Sequence, residues 1–126
     1  MMRGFRGATT VTANDEKEIL VETEKLLRQM VDQNDIKPES ISHVFFSVTD
    51  ELNAVFPAKV SRQIEGWKHV PVMCMKEIDV ENSLEKCIRV MLVAQTSLAQ
   101  DEVEHIYLND AIKLRPDLVD EEKVKQ

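Results

Sequence analysis

Glycine and cysteine are scarce in this chain of 126 residues: three glycines and two cysteines. No Gly-rich phosphate loop and no GxSxG elbow can be read, so neither a nucleotide site nor a serine nucleophile is indicated. Cys74 and Cys87 form no CxxC, and His43, His69 and His105 share no metal-ligand spacing. No metal and no cofactor are therefore expected. Two cysteines beside six methionines suit a reducing compartment, and a structural disulfide is not expected. Long apolar runs are also missing. The longest, Val90–Ala94, falls far short of the ~18 residues of a membrane span. The N-terminus carries Arg3 and Arg6 but no apolar core of a secretory leader. The expectation is a cytoplasmic protein that does not engage a membrane. Positive charge is in deficit, with a formal net charge of -7, the opposite of the basic balance of a nucleic-acid binder.

What is present is apolar material for one core. At 43 % hydrophobic, the chain can bury roughly two thirds of its unfolded surface. The spacing predicts a single domain over 1–116 and a flexible, mostly charged tail over 117–126. Residues 2–11 (MRGFRGATTV) read as a first strand, in which Arg3 and Arg6 point to opposite faces. Asp15 followed by Glu18 resembles a capping box. Ile19, Leu20, Thr23, Leu26, Leu27, Met30 and Val31 then form one apolar stripe on a helix of about 18 residues, ended by Asn34 and Pro38. Residues 41–49 read as a second strand and 50–56 as a turn or short helical piece. Pro57 opens a short helix that Gly66 stops. A third strand over 70–75 should lie near an edge or bulge because of Pro71. The most apolar strand, 87–96, is greasy on both faces and should be central, with 103–108 as a fifth. The fold class is thus α/β (α+β): a mixed five-stranded sheet with one long helix packed on it. One helix cannot cover both faces of such a sheet, and oligomerisation is the expected remedy.

Several residues look out of place for structure alone. Arg89 sits inside the most apolar strand, on one face with Cys87, Met91 and Val93. A buried guanidinium demands an anion, supplied either by a structural pair with Glu77 or by a bound ligand. Glu77, at the end of the third strand, reads as a solvated strand end unless Arg89 and Arg6 make a polar cleft around it. Lys59 and Arg62 bring cations to a helix start, where they oppose the dipole unless an anion docks. A charged solvent-facing turn is the plainer account. Tyr107, the only tyrosine, reads as a core residue with its hydroxyl at the surface, and Arg115 as a surface arginine. Arginines, one glutamate and neutral donors such as Cys74 and Tyr107 suit a small polyanion held by charge and hydrogen bonds.

The segments RGFRGATTV, DELNAVFPAKVSR, GWKHVPVMCMKEIDV, CIRVMLV and HIYLNDAIKLRPDL, in that order over about residues 2–118, resemble the bacterial monofunctional chorismate mutases of the trimeric pseudo-α/β-barrel class. Met73 departs from the pattern, in which a small polar residue such as threonine is expected; a backbone contact there survives the change and a hydroxyl contact does not. The resemblance implies a homotrimer with sites at subunit interfaces, taking chorismate to prephenate without a cofactor. It implies Arg89 at the ether oxygen, Arg6 on a substrate carboxylate with Tyr107 in support, and Glu77 accepting from the ring hydroxyl with Cys74 donating nearby. Phe56, Ala58, Lys59 and Arg62 would come from the neighbouring subunit. Val72 and Met73 would supply wall and backbone contacts, and Leu114 and Arg115 the segment over the mouth. Two other readings are a trimeric imine or enamine deaminase, whose glycine- and proline-rich signature is not found, and a non-catalytic small-carboxylate binding protein. The latter would anchor carboxylates but have no use for a cation at the ether oxygen.

Overall fold

The computed structural model describes residues 1–114. Five strands form one mixed sheet: β1 (Met2–Thr10), β2 (Ile41–Val48), β3 (Val72–Lys76), β4 (Cys87–Gln95) and β5 (Ile106–Tyr107). The spatial order is β3-β2-β4-β1-β5, so β4 is central, as its composition predicts. β4 runs antiparallel to both β1 and β2, whereas β2–β3 and β1–β5 are parallel pairs. β3, with Pro71 just before it, is an edge strand. Arg115, the tail 117–126 and the boundary at 116 lie outside the described residues.

The single long helix, α1 (Glu16–Asn34), begins where the capping pair predicts. The Asp15 side chain accepts from the Glu18 amide at 2.9 Å. Glu18 returns its carboxylate to the amides of Thr12 at 2.8 Å and Ala13 at 3.2 Å, one turn earlier than a simple box would. The helix ends on Asp35 in the left-handed region, φ 50°. Its apolar stripe buries Leu26, Leu27 and Met30 against Phe5, Val44, Phe46, Val90 and Leu92. Each such side chain stabilises the fold by about 1.5–3 kcal/mol. Helix and sheet meet closely at Gly7, where an added Cβ would run into the Met30 sulfur and lie 3.1 Å from a Leu26 methyl.

Three expectations need correction. The segment after Phe56 forms 3₁₀ turns over Pro57–Gln63 rather than an α-helix, and the Ser61 hydroxyl donates to the Ala58 carbonyl within them. Gly66, three residues on, makes the reversal at φ 87°, where a Cβ would press on the Pro38 ring. The fifth strand shrinks to Ile106–Tyr107 because side chains take its ladder bonds. Asn34 holds both the amide and the carbonyl of Glu104 at 2.8 Å, and His105 Nδ1 accepts from the Arg6 amide at 2.9 Å.

The third correction concerns β4, both of whose faces read as apolar. One is covered along its whole length and the other only at its start, where Cys87 is buried. Ile88, Val90, Leu92 and Ala94 are buried under α1, while Met91 on the opposite face is 38 % exposed. Met73, at 60 %, and Met75, at 42 %, continue that open face on β3.

Candidate active site

The register of the open face brings the sequence-predicted residues together. Arg89 pairs with Ala8 on β1 and with Ser47 on β2. Arg6 pairs with Met91, which makes it the diagonal neighbour of Arg89 on the same face. Tyr107 pairs with Ala8 from the other side, so it looks across β1 toward Arg89. Arg6 is exposed, and Arg3 turns away to donate from Nε to the Leu98 carbonyl at 3.3 Å, as strand alternation requires.

Glu77 reaches this face from the end of β3. Its amide continues the β2–β3 ladder by donating to the Val48 carbonyl at 2.8 Å. Its carboxylate accepts from the Ser47 hydroxyl at 2.9 Å and pairs with Arg89 Nε at 3.4 Å. The pair is not the buried one that the strand composition suggests: the Arg89 side chain is 49 % exposed and that of Glu77 26 %. Ser47 was not singled out in the sequence. Its signal lies only in the β2–β4 register, which sets it opposite Arg89.

Arg89 also lines a cavity of about 1150 Å³ with Lys113 and Leu114. Tyr107 and Leu114 pack on a small apolar cluster of Ala8, Cys87 and Ala111.

The remaining residues gather elsewhere. Phe56, Lys59 and Cys74 line a second cavity of about 860 Å³ beside β3. Cys74 pairs with buried Phe46 and so faces the helix side of the sheet, as does half-buried Val72; Met73 faces the open side. Within one chain, then, Cys74 shares a cavity with Phe56 and Lys59 and not with Arg89. Burial pushes the Cys74 thiol up, against a smaller opposing effect of a hydrogen bond with the Ala58 backbone. It is a neutral donor at pH 7. Ala58 is half-buried and Arg62 exposed. Phe56 is 75 % exposed, an unusual position for a large aromatic side chain. The anion beside Lys59 is one of the chain's own: its Nζ lies 3.4 Å from Glu16 in the first turn of α1, where an acid favours the helix dipole.

Arg6, Arg89 and Glu77 thus share the open sheet face, while Phe56, Lys59 and Cys74 line a second cavity of the same chain. The family model described as chorismate mutase type I matches residues 2–118. The chain belongs to that family. A curated relative, chorismate mutase AroH of Bacillus subtilis (strain 168), is 50 % identical over 118 residues, spanning 94 % of this chain and 93 % of the relative. A second, chorismate mutase AroH of Thermus thermophilus, is 42 % identical over 119 residues, 94 % of this chain and 97 % of its own. Among solved structures, the chorismate mutase from Clostridium thermocellum superposes with a TM-score of 0.84 at 46 % identity, covering 86 % of this chain and 96 % of that one. The family membership agrees with the fold built above from capping, register and burial.

Proposed function

We propose that this chain converts chorismate to prephenate in sites that two subunits of a homotrimer complete. The chorismate mutase activity itself, an isomerisation serving aromatic biosynthesis, comes with family membership and 50 % identity to a protein of that name. The residue roles and the assembly are our reading.

The reaction is a pericyclic shift: a C–O bond breaks as a C–C bond forms within one molecule. Nothing need be protonated, and no group on the protein need be alkylated or acylated. What the protein can contribute is a compact substrate conformer and charges placed where the transition state is polar. In our reading, Arg89 donates to the ether oxygen, on which negative charge grows. Glu77 and Ser47 aim the guanidinium, and the Glu77 carboxylate accepts from the ring hydroxyl. Arg6, one step along the same face, holds a substrate carboxylate, with the Tyr107 hydroxyl in support. Cys74 donates as a neutral thiol. Phe56, Ala58, Lys59 and Arg62 arrive from the neighbouring subunit, with Val72 and Met73 as wall and Leu114 and Arg115 at the mouth.

One observation carries this reading. Arg89 is fixed by Glu77 yet half open to solvent, on a sheet face whose exposed Met73, Met75 and Met91 call for cover. A pair this exposed adds little to stability, and the half-open guanidinium keeps donors free for an anionic ligand. A second copy presenting its exposed Phe56 supplies that cover and closes the site.

The test is direct. Purified protein mixed with chorismate should deplete its ultraviolet absorbance and yield prephenate, identified by NMR. Turnover should vary little between about pH 6 and 8, because no proton moves in the chemical step. Absence of turnover, or a substantial solvent isotope effect on that step, would remove the assignment.

A further inference from the structure

Asn109 lies between two residues of the proposed site, Tyr107 and Leu114, and its own role is unassigned. Its backbone is in the left-handed region, φ 55°, which asparagine tolerates better than most residues. Its side-chain amide meets three acceptors from two elements. Nδ2 donates to Thr9 Oγ1 at 3.1 Å, to the Thr10 carbonyl at 2.9 Å and to Glu22 Oε1 at 2.9 Å. Two N–H bonds serve three acceptors, so one is shared. The neighbouring amides join in: Leu108 donates to the Ala8 carbonyl at 2.9 Å, and Asp110 to Thr10 Oγ1 at 3.1 Å. Glu22, only 16 % exposed, is held in turn by Lys25 at 3.2 Å.

This fastening stands where the sheet itself fails to provide one. β5 has two residues, and beyond Tyr107 the chain leaves the ladder for 3₁₀ turns over Asn109–Leu114. Two parallel pairs are a weak anchor for a segment that must hold a hydroxyl across β1 from Arg89 and an apolar wall in its cavity. Asn109, Glu22 and Leu114 all line that cavity. We propose that Asn109 is a positioning residue: clamped to Glu22 of α1 and to the end of β1, it sets Tyr107 and Leu114 against the site of Arg89. The proposal rests on the functional reading above, in that the site it serves is the one described there.

The experiment has two arms. Asn109→Gly keeps the backbone conformation and removes the amide, whereas Asn109→Asp keeps the volume, loses the donors and sets a carboxylate against Glu22. The second guards against a glycine variant that fails to fold. Hydrogen exchange, measured on the full chain, should accelerate at least tenfold at the Leu108 and Asp110 amides while those of α1 are unchanged. Steady-state kinetics with chorismate should show KM raised about tenfold and kcat within twofold of the parent, since uniform binding is what is lost. A merely structural defect would lower the active fraction and kcat and leave KM alone. Unchanged exchange overturns the clamp. Faster exchange with unchanged KM overturns its service to the site. A parent chain that does not turn over chorismate overturns the functional reading instead, and the exchange arm then decides the clamp by itself.

Discussion

Ser47 and Arg89 face each other across β2 and β4, and both reach the same oxygen of Glu77, at 2.9 Å and 3.4 Å. A hydroxyl and a guanidinium converging on one carboxylate fix the arginine without enclosing it. The expected consequence is that Arg89→Ala lowers kcat by 10²–10³-fold or more, about 3–4 kcal/mol of transition-state stabilisation. The change should cost little stability, because the side chain is half exposed. Ser47→Ala should cost far less in rate, of the order of a single hydrogen bond, about 0.5–1.5 kcal/mol. Parallel kinetics and urea unfolding of both variants check the ranking. An Arg89→Ala protein as active as Ser47→Ala would displace Arg89 from the centre of the reaction.

The proposed sharing of each site between two subunits predicts complementation. Arg6→Ala and Arg62→Ala proteins, each impaired alone, should regain activity when mixed and allowed to exchange. Random mixing in a closed ring restores about a quarter of the sites. Exchange monitored by mass spectrometry with no recovery of activity would place both residues in one subunit's site, or Arg62 outside it. Sedimentation of the parent protein should give a trimer.

Glu51 makes the acid limb of stability predictable. Burial pushes its carboxyl up, but the Lys86 amide, its own backbone, the Thr49 hydroxyl and the Lys86 charge outweigh this and hold it below the usual value. A folded-state pKa below the unfolded one, about 4.3, contributes stability that is fully present above that value. It is lost as pH falls through the folded pKa. Glu51→Gln should therefore be less stable than the parent at pH 7, with the difference shrinking below about pH 4. Urea midpoints from pH 3 to 7 measure it; a constant difference across that range would refute the assignment.

Close packing at Gly7 predicts the cost of one methyl. Gly7→Ala drives a Cβ into the side chain of fully buried Met30 and within 3.1 Å of a Leu26 methyl. Overpacking of this kind costs about 1–3 kcal/mol. The urea midpoint should fall with an unchanged m-value, and Met30→Ala in the same chain should relieve part of the strain at Gly7. Gly7→Ala without loss of stability would show that the helix can shift off the sheet.

Both cysteines should resist alkylation while the protein is folded. Burial pushes the Cys87 thiol up against the opposing pull of the Arg89 charge, and it does the same to Cys74. The thiolate is the reactive species, so modification at pH 7.5 should be slow and should speed sharply in denaturant. Cys74, half-buried, should react before Cys87, which is 2 % exposed. Mass spectrometry of the partly labelled protein gives the order.

The sequence by itself determined those features whose causes are local or compositional. The helix was legible because a cap, an acidic first turn and an apolar stripe lie within a few residues of one another, and each acts over one turn. The central place of β4 followed from a run too apolar to tolerate an edge. The family was legible because blocks along nearly the whole chain recur in order. Tertiary structure alone decided how the strands pair. The register sets Arg6 diagonal to Arg89, Tyr107 across β1 and Ser47 opposite the arginine; a slip of one residue would turn each side chain to the other face. It also decided that Arg89 stays half open, that Lys59 finds Glu16, and that Asn34 and His105 take the bonds which would have lengthened β5. Those outcomes depend on groups tens of residues apart along the chain, and no short-range pattern records a distance that only folding creates.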